Sequence, residues 1–261
     1  MHKVINNYQL LKIYIHEFFW QVRINFFAII SFNKQLKLCI FELKKNGYVV
    51  IPNYFNEKIL SKIHAECQFL LNNIELIDNI EKIPGSIKLK NIGKKSFFLN
   101  KIQQNFFLKF LAIIYSFKIR LIKNGALLIY SLTHDGKSNI KNLEGSFRGK
   151  MIAGDPHLDT PIHELKAFVA LNNINKKNGP FVSIKSSNNF NKDLINNYMG
   201  MRNGIPNSEI INQNYVDKLI QSEKVFFGTV NRGDLVIIDT RSIHYASSLI
   251  EGKREMLWLY Y

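Results

Sequence analysis

The chain has 261 residues, of which 46% are hydrophobic and 21% are charged. A chain of this length can bury a sizeable core, and the composition is that of a folded globular protein, which excludes a disordered chain. The formal net charge is +15 at pH 7. The lysines are nevertheless scattered and form no dense basic run, so we do not predict nucleic-acid binding. Acidic substrates and membrane phosphates remain open as partners of a basic surface.

The two cysteines, Cys39 and Cys67, lie far apart and form no C-x-x-C motif. This spacing excludes a disulfide framework and a cysteine zinc site. We expect two free thiols packed in the core, which suits a cytoplasmic protein.

The first predicted element is a helix in which apolar residues recur at helical spacing. These residues are Leu10, Leu11, Tyr14, Ile15, Phe18, Phe19, Val22, Phe26, Ile29 and Ile30. Glu17 and Arg23 interrupt the run, so it does not predict a membrane span, and no cleavage site follows that would indicate a secretory signal. We predict a helix packed on the core, with a membrane-surface helix as the less favoured alternative.

Helices dominate the first half of the chain. Three further helices are predicted over 34–46, 56–71 and 105–123, with one buried strand over 48–51. Asn46-Gly47 is a helix stop, and Asn56 is placed to cap the next helix. Around Pro84-Gly85 the helical pattern of apolar residues ends, and we predict a loop.

Short apolar runs separated by turn signals follow Gly125, and they predict strands. The runs lie at 126–132, 166–171, 181–184, 225–227, 235–238 and 256–260. The polar stretches 134–150 and 185–224 predict a loop and an insertion. Helices first and strands later favour an α+β fold whose core is a double-sheet β roll. We assign residues 1–45 to an N-terminal helical extension and 46–261 to the β domain.

His157-Leu158-Asp159 is the most informative motif in the sequence. Residues at i and i+2 of a strand project from the same face, so this imidazole and carboxylate can bind one metal ion together. His244 is the candidate third ligand. Two histidines and one carboxylate suit non-haem Fe(II) and leave coordination positions open. The tripeptide alone is common, so its flanking segments matter.

Three segments of the chain, at 46–55, 157–181 and 232–254, together resemble the phytanoyl-CoA dioxygenase family of Fe(II)- and 2-oxoglutarate-dependent oxygenases. Residues 46–55 (NGYVVIPNYF) are similar to the opening strand of the family. Residues 157–181 are similar to its metal strand, core strand and N-G-P turn, and residues 232–254 to its closing hairpin. The order and spacing of the segments, over about residues 40–261, carry the resemblance. It implies a double-stranded β-helix (jelly-roll or cupin-like) core with a metal at one mouth, flanked by the N-terminal helices.

The resemblance also implies the roles of individual residues. His157, Asp159 and His244 match the Fe(II) ligands, and Arg254 matches the anchor for the far carboxylate of the co-substrate 2-oxoglutarate. A guanidinium suits this role because it binds carboxylate bidentately and keeps its charge. Phe168 matches an aromatic wall of the co-substrate pocket. The remaining coordination position would take O2.

Two contacts to the co-substrate stay open. Ala246 stands where the family frequently has a small hydroxyl residue, and the candidates to replace it are Ser242, Ser247 and Ser248. The candidates for a second polar or cationic contact are Arg148, Lys150 and Tyr130.

Other histidines offer weaker interpretations. His163 competes as a ligand, but Pro161 interrupts the strand after His157, so we predict that His163 lies at the pocket edge or on the surface. A zinc hydrolase using His157, His163 and His244 is disfavoured for the same reason. His134 and the residue after it lie in a polar loop, where turn chemistry explains them.

The predicted function is an Fe(II)- and 2-oxoglutarate-dependent dioxygenase that hydroxylates a small molecule. Asp159 favours hydroxylation, because related halogenases have a small residue in place of this carboxylate. Desaturation, epimerisation and ring closure stay open, as does a catalytically inactive β roll that binds a ligand or acts as a scaffold. The sequence does not predict the substrate. The loop 134–150 and the insertion 185–224 are expected to line the entrance.

Overall fold

The computed structural model describes residues 7–116, 124–137, 140–150, 152, 156–189, 217–218, 221 and 224–261. The α-helices in these ranges are α1 (Asn7–Ile30), α2 (Lys34–Asn46), α3 (Glu57–Asn72), α4 (Phe97–Gln103) and α5 (Phe106–Ser116). The strands are β1 (Tyr48–Ile51), β2 (Ile80–Ile83), β3 (Ser86–Lys90), β4 (Leu127–His134), β5 (Leu165–Ala170), β6 (Phe181–Ile184), β7 (Val225–Phe227), β8 (Leu235–Asp239), β9 (His244–Ala246) and β10 (Lys253–Tyr260).

The helix ends follow the predicted capping signals. Gly47 adopts φ 81° after α2, and its N–H donates to the carbonyl of Leu43. Such a left-handed conformation favours glycine. The Asn56 side chain accepts a hydrogen bond from the Ile59 N–H at the start of α3. Both predicted boundaries are therefore confirmed.

The strands form two antiparallel sheets. The larger sheet has seven strands in the order β1-β8-β5-β10-β4-β3-β2, and the smaller has three in the order β7-β6-β9. All neighbouring strands in these two sheets pair antiparallel. The α+β class with a two-sheet core is confirmed.

Side chains that alternate along the large sheet fill two different cores, as strand geometry requires. Phe168, Val236 and Met256 are buried in a cluster that includes Phe181 of the small sheet, so this core lies between the sheets. The intervening residues of β5, β8 and β10 join a larger core shared with the helices. The large sheet is therefore covered on both faces. Its packing against the small sheet determines where a cavity can open between the two sheets.

The hairpin β2–β3 was not predicted from the sequence, since the Pro84-Gly85 region was interpreted as a loop. Gly85 supplies the turn with φ 73°. β10 begins three residues earlier than predicted and so contains Arg254. Residues 117–123 of the predicted helix 105–123, and residues 190–216 of the predicted insertion, lie outside the described residues.

The helix α1 packs on the core through a face that differs from the predicted one. Its buried side chains are Ile13, Trp20 and Ile24. The predicted core-facing stripe is largely exposed: Phe18 is 64% and Ile29 is 76% accessible. The sequence shows apolar residues on both sides of α1, so periodicity selected the wrong side. None of the described helices combines the length and apolar content needed to cross a membrane.

Candidate functional site

His157, Asp159 and His244 come together at the edge of the small sheet. The backbones of His157 and His244 pair directly, with N···O distances of 3.1 and 2.8 Å, and the Asp159 N–H donates to the Thr240 carbonyl at 3.0 Å. Asp159 lies 3.6 Å from the Nε2 atom of each histidine, measured to Oδ1 for His157 and to Oδ2 for His244. One ligand atom from each of the three residues lies within 4.8 Å of the other two.

The protonation of His244 is set by its surroundings. Its Nδ1 lies 2.8 Å from the Ser242 carbonyl, and because a carbonyl accepts only, Nδ1 carries the proton. The lone pair of Nε2 then faces Asp159. Burial lowers the pKa of His244 to about 4, so the imidazole is neutral near pH 7. A neutral imidazole is the form that binds metals.

Asp159 stays ionised in this cluster. Burial alone would raise its pKa, but the interactions with His244 and with the Lys166 ammonium outweigh that effect and lower the pKa. The Lys166 ammonium contacts Oδ2 of Asp159 and lies over the Tyr260 ring, 4.8 Å from its centroid. Lys166 was not among the predicted site residues. Its one signal is a lysine within the apolar strand β5.

The three side chains fit a divalent transition metal. They present two imidazole nitrogens and one carboxylate, and Asp159 lies 3.6 Å from both histidines. Nitrogen and carboxylate donors of this kind bind such ions. Two histidines and one carboxylate would leave coordination positions of such an ion open, and both histidines line the cavity.

Arg254 lies in the same cavity as the two histidines. Its side chain is buried, Nη1 donates to the Gly179 carbonyl at 3.0 Å, and Nε has no hydrogen-bond partner. In the described part of the chain, no carboxylate forms an ion pair with it. Burial lowers its pKa, as expected for a guanidinium removed from water without a counter-charge. An anion entering the cavity would supply that counter-charge.

Hydroxyl groups near Arg254 come from β4 and not from the predicted serines. Thr133 pairs with Arg254 across the strands, and both Ser131 and Thr133 line the cavity. Ser242 and Ser247 instead contact the backbone carbonyls of Gly47 and Pro180. The cavity lining also lacks Ser248. The alternation of β4 is the signal that could have identified the two hydroxyls.

The candidates for a second polar or cationic contact do not line this cavity. The lysines that line the cavity are Lys88 and Lys166, whereas Arg148 and Lys150 do not line it. Tyr130 points to the opposite face of the large sheet, where its hydroxyl donates to Glu255 at 2.8 Å.

Phe168 lies behind the cavity wall. It is fully buried and packs against Phe181 and Trp258, with ring centroids 5.9 and 5.0 Å away. Phe181 and Trp258 line the cavity itself, together with Tyr245 and Tyr260.

His163 is neither at the pocket edge nor on the surface, which corrects the prediction. It is 1% exposed. Its Nδ1 lies 2.5 Å from Asp239, and its Nε2 lies 3.2 Å from Glu17 and 2.8 Å from Arg241. Both ring nitrogens are therefore engaged away from His157. A zinc site that includes His163 is not supported.

Several solved structures resemble the chain. The match to EctD from S. alaskensis in its apo form covers 88% of this chain and 76% of the EctD chain, with 15% identity and a TM-score of 0.60. The non-haem alpha-ketoglutarate-dependent epimerase SnoN from nogalamycin biosynthesis covers 86% and 81%, with 14% identity and a TM-score of 0.56. HygX from Streptomyces hygroscopicus, solved with nickel and 2-oxoglutarate bound, covers 88% and 86%, with 12% identity and a TM-score of 0.55.

No protein-family model matches the sequence, and no curated protein matches it. The likeness therefore lies in the fold. It agrees with the resemblance seen in the sequence and confirms the predicted double-stranded β-helix. The chain has the fold found in solved non-haem, 2-oxoglutarate-dependent enzymes.

Proposed function

We propose that the protein is an Fe(II)- and 2-oxoglutarate-dependent oxygenase that hydroxylates a small molecule. One observation carries the proposal: a buried arginine without a carboxylate partner among the described residues shares a cavity with a cluster of two histidines and one aspartate. A set of three metal-binding side chains alone is compatible with several chemistries. The buried Arg254 guanidinium in the same cavity has no described counter-charge, which favours an anionic co-substrate that also reaches the metal.

The residues have distinct roles in this proposal. His157, Asp159 and His244 hold the metal, and Arg254 pairs with the far carboxylate of 2-oxoglutarate. Thr133 lies beside Arg254 and supplies a hydroxyl to the same carboxylate. Iron with 2-oxoglutarate and O2 supplies oxidation of an unactivated C–H bond, coupled to decarboxylation of the keto acid.

The protein also shields this chemistry from water. The aromatic rings of Phe181, Trp258 and Tyr260 surround the space beside the metal ligands. Such walls keep the local dielectric low and strengthen the pairing between Arg254 and a carboxylate. Asp159 keeps a carboxylate at the metal, which supports hydroxylation. SnoN and HygX, solved with alpha-ketoglutarate or 2-oxoglutarate bound, support the co-substrate by analogy of fold.

The test is an anaerobic titration of the protein with Fe(II) and 2-oxoglutarate, followed by visible absorption. We expect a weak charge-transfer band that appears only when both are present. Asp159→Ala should abolish the band, whereas Asp78→Ala, which removes an exposed carboxylate, should leave it unchanged. Absence of the band in the wild type, or its persistence in Asp159→Ala, would contradict the proposal.

Turnover separates an enzyme from an inactive β roll that binds the same ligands. We expect the iron-loaded wild type to release succinate slowly from 2-oxoglutarate in air, and faster with a substrate. With ¹⁸O₂, a hydroxylated product carries one labelled oxygen atom. A charge-transfer band without any succinate release would favour the binding protein.

A further inference from the structure

The helix α1 presents two apolar faces. The inward face contributes Ile13, Trp20 and Ile24 to the core. An outward stripe runs at helical spacing through Leu11, Ile15, Phe18, Val22, Phe26 and Ile29, with exposures between 48% and 76%. Isolated exposed apolar residues are ordinary, but a continuous stripe of six along one helix indicates a surface that contacts an apolar partner.

A groove between α1 and α2 is a second partly apolar surface that α1 contributes to, through Ile24, Asn25 and Ala28. Leu38 and Phe41 of α2 line the groove and are 55% and 56% exposed, and its volume is about 800 Å³. Four lysines also line it. They are Lys34, Lys37, Lys44 and Lys45. None of the described residues that line it is acidic.

Local contacts keep these lysines beside the groove. The Lys44 ammonium donates to the Asn25 side chain across the two helices at 2.7 Å, and the Lys45 ammonium lies 5.6 Å from the Phe41 ring centroid. Long lysine side chains can cover an apolar surface in this way while their charges remain at its rim.

The acidic residues of α1 and α2 do not offset this charge. Each helix contains one acidic residue, Glu17 and Glu42 respectively. Glu17 turns inward to His163 and Arg241, whereas Glu42 accepts a hydrogen bond from Asn46. Neither acidic residue of the two helices therefore pairs with the lysines that line the groove.

We propose that the α1–α2 face docks the protein on the surface of an anionic membrane. An interfacial helix buries its apolar face roughly 5–10 Å into the boundary between headgroups and acyl chains, and flanking lysines pair with anionic headgroups. A second copy of the chain fits this face less well, because a twofold contact through it would bring the lysines of both copies together. Phosphate-bearing headgroups match the charge, and acyl chains match the apolar stripe.

The test uses the full chain without added metal and measures its co-sedimentation with vesicles. We expect binding to vesicles that contain phosphatidylglycerol, little binding to vesicles of phosphatidylcholine alone, and release at high salt. The absence of iron keeps this result independent of the proposed oxygenase activity, so either proposal can fail alone. No binding to phosphatidylglycerol vesicles, or equal binding to both vesicle types, would overturn the proposal.

Two pairs of variants locate the contact. Phe18→Ser with Phe26→Ser should abolish binding, and Lys34→Gln with Lys37→Gln should weaken it by roughly tenfold or more. The matched controls are Phe69→Ser on α3, with the same 56% exposure as Phe26, and Lys58→Gln with Lys82→Gln, which remove the same charge.

The controls and the state of association decide between the possible outcomes. Equal losses in the controls and the α1–α2 variants would overturn the docking face. A dimer in sedimentation velocity that dissociates in the variant with Phe18→Ser and Phe26→Ser would assign the face to a second copy and also overturn the proposal. Unchanged circular dichroism of each variant confirms that the exposed substitutions leave the fold intact.

Discussion

Trp20 of α1 stacks on the ring of His163, with centroids 3.5 Å apart and planes inclined by 12°. Tyr115 packs edge-on against both rings, and its hydroxyl donates to Asp239 at 2.9 Å. Asp239 also contacts His163 Nδ1. The next residue, Thr240, accepts the backbone hydrogen bond of Asp159. The N-terminal helix is thus connected through buried rings to the segment that holds the candidate metal ligands.

Replacing Trp20 by alanine should lower the free energy of unfolding by about 3–5 kcal/mol, because it removes a fully buried indole and opens a cavity. The measurement is urea unfolding followed by circular dichroism. Phe19→Ala is the matched control, since Phe19 is 58% exposed, and should change the stability by about 0.5 kcal/mol or less. Equal effects of the two changes would show that α1 does not pack through Trp20.

The role of His163 could not be predicted from sequence spacing. Its partners Glu17, Asp239 and Arg241 lie 146, 76 and 78 residues away along the chain. Local patterns carry no information about such contacts. The two faces of α1 posed a related problem: apolar residues recur on both sides, so the helix was predictable but its buried side was not.

The elements nearest the three candidate metal ligands were predictable for physical reasons. The strands β5 and β8 are apolar runs because both faces of the large sheet are covered. The histidine and aspartate two residues apart were recognisable because strand geometry places them on one side. β2 and β3 were missed because their strands are short and partly exposed. Lys166 was missed because its partner, Asp159, was assigned to the metal and not to an ion pair.

Arg254 should determine which keto acid binds. The wild type should prefer 2-oxoglutarate over 2-oxobutyrate, which lacks the far carboxylate, by roughly 10–100-fold, because a charged hydrogen bond contributes about 1.5–3 kcal/mol. Arg254→Met should remove most of this preference. The charge-transfer band reports both affinities in anaerobic titrations. Equal binding of the two keto acids to the wild type would place the far carboxylate elsewhere.

Lys166 should oppose metal binding. Its ammonium contacts the Asp159 carboxylate, so a divalent cation at the same carboxylate meets a positive charge nearby. Lys166→Met should therefore tighten Fe(II) binding by roughly tenfold, as an interaction of about 1.4 kcal/mol implies. Lys88→Met is the matched control, because Lys88 also lines the cavity but pairs with Glu81. Anaerobic titration calorimetry measures both. Weaker binding in Lys166→Met would instead mean that the lysine holds Asp159 in place.

Glu255 should make folding sensitive to acid. It is fully buried, and its Oε1 lies 3.0 Å from Nε2 of His64 and accepts from the Tyr130 hydroxyl, while Oε2 pairs with Lys253 at 3.0 Å. Burial would raise its pKa, but His64, Lys253 and Tyr130 outweigh burial and lower the pKa to about 2.

Because the folded pKa of Glu255 is below the ordinary value of about 4.5, its ionisation stabilises the fold above pH 4.5, and this contribution is lost as the pH falls toward 2. The contribution amounts to about 3 kcal/mol. Glu255→Gln should lower the free energy of unfolding at pH 7. It should also reduce the slope of that free energy against pH, on the acid side, by about 1.4 kcal/mol per pH unit. Urea unfolding at a series of pH values measures both. Glu75→Gln, at an exposed position, should keep the wild-type slope. If Glu255→Gln kept that slope as well, the acid sensitivity would belong to other carboxylates.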